Sequence, residues 1–137
     1  CSAPNAAVPL SAMARSFAQL VTSDDAAARN AVEAMTTHPF LIGGTKRFDT
    51  ALMEVTDGRL LAKGGAAGAH CTADRRSGVG LALKLDDVDG TWVSAAVTAA
   101  LTRLGWLTPT EQRALDRFAH PTLRNHKGLE VGRVTAV

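Results

Sequence analysis

The chain has 137 residues, of which 46% are hydrophobic and 20% charged, a balance that suits one soluble globular unit. Fifteen basic against thirteen acidic residues leave a net charge of +2, too small to point to nucleic acid. Four Phe and two Trp give no stacking platform for single strands, the lack of Tyr excludes a phenolic base, and no apolar run approaches the ~20 residues of a membrane-crossing helix.

In chain order, the first residues are Cys1-Ser2 rather than Met, which fits a fragment, a processed product or a lipoprotein with a lipid-modified cysteine. A helical pattern beginning by Pro9 leaves almost no tether for a lipid anchor, which favours the fragment. Pro9 is placed to open a helix with Leu10, Met13, Phe17 and Leu20 on one face. Ser23-Asp24-Asp25 supplies cap candidates for a second helix from Ala26 to about Thr37, which His38-Pro39 ends. Phe40 to Phe48 reads as a loop carrying Gly43-Gly44 and Lys46-Arg47. Asp49 to Val55 is ambiguous between helix and strand, with Asp49 a candidate helix cap.

Three strands are expected near 59–63, 69–73 and 79–85, the last two separated by the Asp74-to-Gly78 turn. A helix from Thr91 to Leu104 follows, with Val93, Val97, Ala100, Leu101 and Leu104 on one stripe and Gly105 at its end. Thr108-Pro109-Thr110-Glu111 begins another helix, to about Ala119, with Leu115 and Phe118 facing inward. Asn125 to Gly128 reads as a structural turn, and the tail from Leu129 as a final strand. The order of elements defines one α+β unit over residues 1–137: a small antiparallel sheet with flanking helices. Two cysteines, Cys1 and Cys71, make no disulfide framework, so a reducing, cytoplasmic location is expected.

The chemistry concentrates in Arg59-Leu60-Leu61-Ala62-Lys63-Gly64-Gly65. Lys63 ends an apolar run and is followed by three glycines within five positions. A lysine that loses hydration there favours its neutral amine, and neighbouring glycines let a ligand or another backbone approach. The competing reading is a surface lysine extending from an edge strand into water. Arg47 has a planar fork suited to a substrate carboxylate, and also suits a solvated loop. The four histidines are scattered; His70 and Cys71 are adjacent but point to opposite faces of a strand.

Several blocks together resemble the L-asparaginase II family, bacterial amidohydrolases with a serine β-lactamase-like fold. They are Cys1-Ser2-Ala3-Pro4-Asn5 with Val8-Pro9-Leu10, His38-Pro39 through Gly43-Gly44 to Asp49-Thr50, Gly58-Arg59 through Lys63-Gly64-Gly65-Ala66, Leu83-Lys84 with Asp86-Asp87, and His120-Pro121 with Asn125 to Gly132. The resemblance covers only what is the C-terminal half of the family's usual chain. It implies that this half needs its N-terminal partner and leaves the partner edge and one face of the sheet uncovered when alone. It implies a catalytic Lys63, with Gly64 and Gly65 beside the substrate L-asparagine, in place of the Lys-Thr/Ser-Gly triplet of β-lactamase-like enzymes. It implies zinc bound in part by Cys1, an incomplete site because one thiolate is a quarter of a tetrahedral set. A homodimer is compatible with it.

To act as a base near neutral pH, Lys63 must drop about 3 pKa units, equivalent to about 4 kcal/mol. Asp49 would favour its ammonium form if it lies close, although a capping role is the simpler expectation. None of the serines at 2, 11, 16, 23, 77 and 94 has a lysine three residues later, so the family's nucleophile is absent from these residues. The expected activity is hydrolysis of L-asparagine to L-aspartate and ammonia by the complete protein. The alternative is a non-catalytic remnant or a lipid-anchored binding module with the same partial fold.

Overall fold

A computed structural model describes residues 6–86 and 92–136. Helix α1 (Leu10–Thr22) starts after Pro9, and α2 (Ala26–Thr37) is capped by Asp25, whose carboxylate accepts from the amides of Ala27 and Ala28 at 2.9 and 3.1 Å. His38-Pro39 ends α2 as expected, but the next segment is not all loop. Pro39 opens a short helix, α3 (Pro39–Gly43), closed by Gly44 at φ 91°.

Residues Phe48–Val55 form helix α4, which resolves the ambiguity over 49–55; its Leu52 and Met53 are fully buried. The chain then reverses through Asp57 and Gly58, both at positive φ. Gly58 N–H donates to the Met53 carbonyl at 2.8 Å and Asp57 N–H to that of Glu54 at 3.1 Å, satisfying carbonyls at the helix end. This turn delivers the chain into the first strand.

Strands β1 (Leu60–Gly64), β2 (Ala69–Asp74) and β3 (Val79–Lys84) form one antiparallel sheet in that order, each end within a residue of the expected one. Side chains alternate between its faces. Leu60, Ala62 and Gly64 lie across from Asp74, Thr72 and His70, and this face carries α4 and the helix α5 (Val93–Arg103). The opposite face carries α1, which passes so near Gly80 that an added methyl there would lie 2.0 Å from the Ala14 carbonyl oxygen.

The expectation that one sheet face stands uncovered is therefore corrected: Leu61 and Ala73 on one side and Leu60, Ala62 and Thr72 on the other are all solvent-inaccessible. Helix α1 supplies the second cover. Among the described residues the outer side of β1 has no strand neighbour, yet its Leu60 and Gly64 amides donate to Thr56 Oγ1 at 3.4 Å and Asp49 Oδ2 at 2.7 Å.

In α5, Val93, Val97 and Leu101 face the core, joining Leu107 and Leu115. Leu104 does not continue that stripe. It is the C-cap and is 53% exposed, because Gly105 at φ 70° turns the chain away; Trp106 N–H then donates to the Leu101 carbonyl at 2.9 Å. The start of that helix expected at Thr91, like Asp87, lies outside the described residues.

The helix expected at Pro109 breaks in two at Leu115: α6 (Pro109–Ala114), with a Thr108–Glu111 capping box, and α7 (Asp116–Ala119). Leu115 is fully buried at the break. The tail forms β5 (Glu130–Arg133) against β4 (Thr122–Arg124), a strand not anticipated. The turn between them follows expectation: Asn125 Oδ1 accepts from the Lys127 and Leu129 amides, and Gly128 takes φ 77°. The architecture is α+β.

Candidate active site

One open cavity of about 590 Å³ collects most of the residues singled out in the sequence. Lys63, Gly64 and Gly65 form one wall where β1 runs into the turn 65–68. Arg47, at the head of α4, forms another, and Lys46, Arg117 and Phe118 complete the rim. Among the described residues, no carboxylate pairs with Lys46, Arg47, Lys63 or Arg117. These four cations line the cavity together with the single Asp49 carboxylate, an excess of positive charge suited to an anionic group.

Burial along β1 falls from nothing exposed at Leu60, Leu61 and Ala62 to an exposed Lys63. The lysine reaches the carbonyl oxygen of its neighbour Gly64. The partial burial expected of this side chain is thus absent here. Arg47 is likewise exposed, and its carbonyl, not its side chain, enters the α4 hydrogen bonding by accepting from the Ala51 amide at 3.1 Å.

Asp49 is the main departure. It was expected to cap a helix, but α4 begins at Phe48 and its cap position belongs to Arg47, with no side-chain bond. Asp49 lies two residues past the cap position, too far into the helix to cap it. Its carboxylate points at the sheet, where Oδ2 accepts from the Gly64 amide at 2.7 Å and Oδ1 lies 3.0 Å from His70 Nε2. The sheet register explains this. Gly64 and His70 are opposite residues on β1 and β2, so one carboxylate over that pair reaches both.

His70 is 3% exposed, its ring packs against Phe48 with centroids 5.4 Å apart, and its Nδ1 lies 3.3 Å from the hydroxyl of buried Thr72, two residues along on the same face. A side chain at position 64 would have its Cβ 3.2 Å from Asp49 Oδ2, a tight contact that glycine avoids. Burial by itself would raise the Asp49 pKa. The His70 and Gly64 hydrogen bonds, with the nearby Lys63 ammonium, outweigh it and hold the carboxyl below its ordinary value.

The sequence reading missed His70, Thr72, Lys46 and Arg117 as site residues. The signal for the first two was present in alternation: His70 and Thr72 share a strand face, opposite the one carrying Cys71. Lys46 and Arg117 carried no comparable signal, because only folding brings residues 46 and 117 to one cavity.

Cys1, the expected zinc ligand, lies outside the described residues. Among the described residues no group of three or more His, Cys, Asp or Glu side chains is placed to hold a metal. Cys71 is buried and its thiol is pushed up by that burial, which disfavours the thiolate a metal needs. Among the described residues no helix is long and apolar enough to cross a membrane.

With this geometry in view, the comparison with known families is direct. The family model described as L-asparaginase II matches residues 1–136, practically the full sequence, and the chain belongs to that family. No curated protein matches it.

Proposed function

We propose that this chain is the C-terminal part of an L-asparaginase whose complete form has a serine β-lactamase-like fold. The observation that carries the reading is the cation-rimmed cavity onto which Lys63-Gly64-Gly65 opens, in a member of this family. In this scheme Arg47 engages the α-carboxylate of L-asparagine through paired N–H donors, and the Gly64-Gly65 backbone leaves room for the side-chain amide.

A serine from outside these residues attacks the amide carbon as its hydroxyl proton passes to the neutral Lys63 amine. The tetrahedral intermediate collapses, the C–N bond breaks, and that proton leaves with the nitrogen as ammonia. Water then attacks the acyl-serine, giving L-aspartate and restoring the serine hydroxyl. The exposure of Lys63 fits this division of labour: the dehydration its neutral form requires would come from the remainder of the protein closing over the rim. Zinc belongs to the proposal only through Cys1, with its other donors outside the described residues, and no step above uses it.

The test is ammonia release from L-asparagine by the full-length protein and its Lys63→Ala variant. Removing a group that shuttles protons should cost about 10²- to 10⁴-fold in turnover. A variant that matches the parent ends the assignment of Lys63. A non-catalytic binding module is the second reading, favoured by that same exposure of Lys63; a full-length protein that binds L-asparagine without releasing ammonia would establish it.

A further inference from the structure

A polar chain passes through the cavity-lining residues His70, Asp49 and Gly64, and the proposed reaction leaves its role unassigned. Its order is Thr72 Oγ1, His70 Nδ1, His70 Nε2, Asp49 Oδ1, Asp49 Oδ2 and the Gly64 amide, with separations of 3.3, 3.0 and 2.7 Å across its three hydrogen bonds. Thr72 is fully inaccessible and His70 nearly so, while Asp49 and Gly64 are partly buried at the cavity surface. Its last member, Gly64 N–H, is the peptide amide joining Lys63 to Gly64.

We propose that Asp49 is a positioning residue for the Lys63-Gly64-Gly65 wall, itself held by His70 and Thr72. The hydrogen-bond inventory fixes how the chain is wired. Gly64 N–H can only donate and an ionised carboxylate can only accept. Oδ1 therefore takes the proton of His70 Nε2–H; in the neutral ring Nδ1 then accepts from the Thr72 hydroxyl. Every buried group is satisfied by the neutral Nε2–H tautomer.

The outer edge of β1 explains why positioning is required. Gly65 N–H donates to the Ala69 carbonyl at 2.8 Å, so the alternation of an antiparallel ladder turns the Gly64 amide away from β2. Among the described residues no strand lies on that side. Without Asp49, the β1 end carrying Lys63 has lost its tether just where the glycine-rich turn begins. A Cβ at 64 would crowd the carboxylate at 3.2 Å, and glycine relieves that contact.

This inference rests on the asparaginase reading for its catalytic meaning but not for its structural content, and two variants of the full-length protein separate them. Asp49→Asn keeps the shape of the side chain. Its Oδ1 can accept from Gly64 N–H while its NH₂ donates to His70 Nε2, which requires the proton on His70 to move to Nδ1 and point at Thr72 Oγ1. The imidazole ¹⁵N shifts of His70 should thus report Nε2–H in the parent near about pH 7 and Nδ1–H in Asp49→Asn. The Gly64 amide should exchange slowly with solvent in both proteins and quickly in Asp49→Ala.

Asparagine turnover should stay within about fivefold of the parent in Asp49→Asn and fall about 100-fold in Asp49→Ala, the size of loss a misplacement near 1 Å produces. An unchanged tautomer in Asp49→Asn, or a bare Nε2 in the parent, overturns the wiring. Parental turnover in Asp49→Ala overturns the positioning role. A parent that releases no ammonia defeats the asparaginase reading instead, and the tautomer and exchange measurements still decide the inference; should Asp49→Ala fail to fold, Asp49→Asn decides it alone.

Discussion

A single carboxylate shows how differently one residue reads in one dimension and in three. Asp49 sits in the first turn of α4, where its charge also suits the positive end of the helix, but its partners are on the sheet. The sign of its pH effect follows from its lowered pKa. A carboxyl whose folded pKa lies below the ordinary 3.8 contributes stability that is complete above the unfolded value and is lost as pH falls through the folded one. Urea midpoints measured between about pH 2 and 5 should therefore fall more steeply with acid for the parent than for Asp49→Asn. Parallel profiles would mean that the carboxylate gains nothing from folding.

At the scale of elements, the decisive contact is between α1 and the sheet. Gly80 has ordinary backbone geometry and would look replaceable by alanine on propensity grounds, since strands disfavour glycine. The helix removes that option. A methyl at 80 would meet the Ala14 carbonyl oxygen at 2.0 Å and the Ala18 amide nitrogen at 2.9 Å, both backbone atoms that cannot rotate away. Gly80→Ala should cost about 1–3 kcal/mol, or more if α1 has to lift, read as a lower urea midpoint with the slope unchanged. A neutral result would show that α1 is not seated as described.

The last pair of helices offers a second connection at this scale. Arg59, just before β1, donates to the Trp106 carbonyl at 2.8 Å and to Glu111 at 3.1 Å, while Glu111 also closes the capping box of α6. The capping-box residues Thr108 and Glu111 were legible from spacing. That Glu111 would also hold a strand 52 residues away was not, since nothing local encodes it.

For the molecule as a whole, the balance of features predicts that these 137 residues do not hydrolyse L-asparagine on their own. Lys63 lies exposed on an open rim, four cations face the cavity without a carboxylate partner among the described residues, and no serine here precedes a lysine by three positions. Ammonia release by the isolated chain at a normal enzymatic rate, about 1–10³ per second, would refute this and place the nucleophile within it.

Much of this organisation is legible in the order of residues alone. The apolar period of 3.6 in α1, α2 and α5, the proline stop at 38–39 and the turns that bound β1 to β3 each arise from forces acting within a few residues, so spacing reveals them. Lys63, Gly64, Gly65 and Arg47 stand out by residue type and order, and all four line the cavity. Tertiary structure alone decided that Asp49 serves the sheet rather than its helix, that α1 covers the second sheet face, and that Lys46 and Arg117 share a rim. Those outcomes depend on which distant surfaces meet as the core closes, and a hydrogen bond or a steric contact leaves no period in the chain when its two ends come from separate elements.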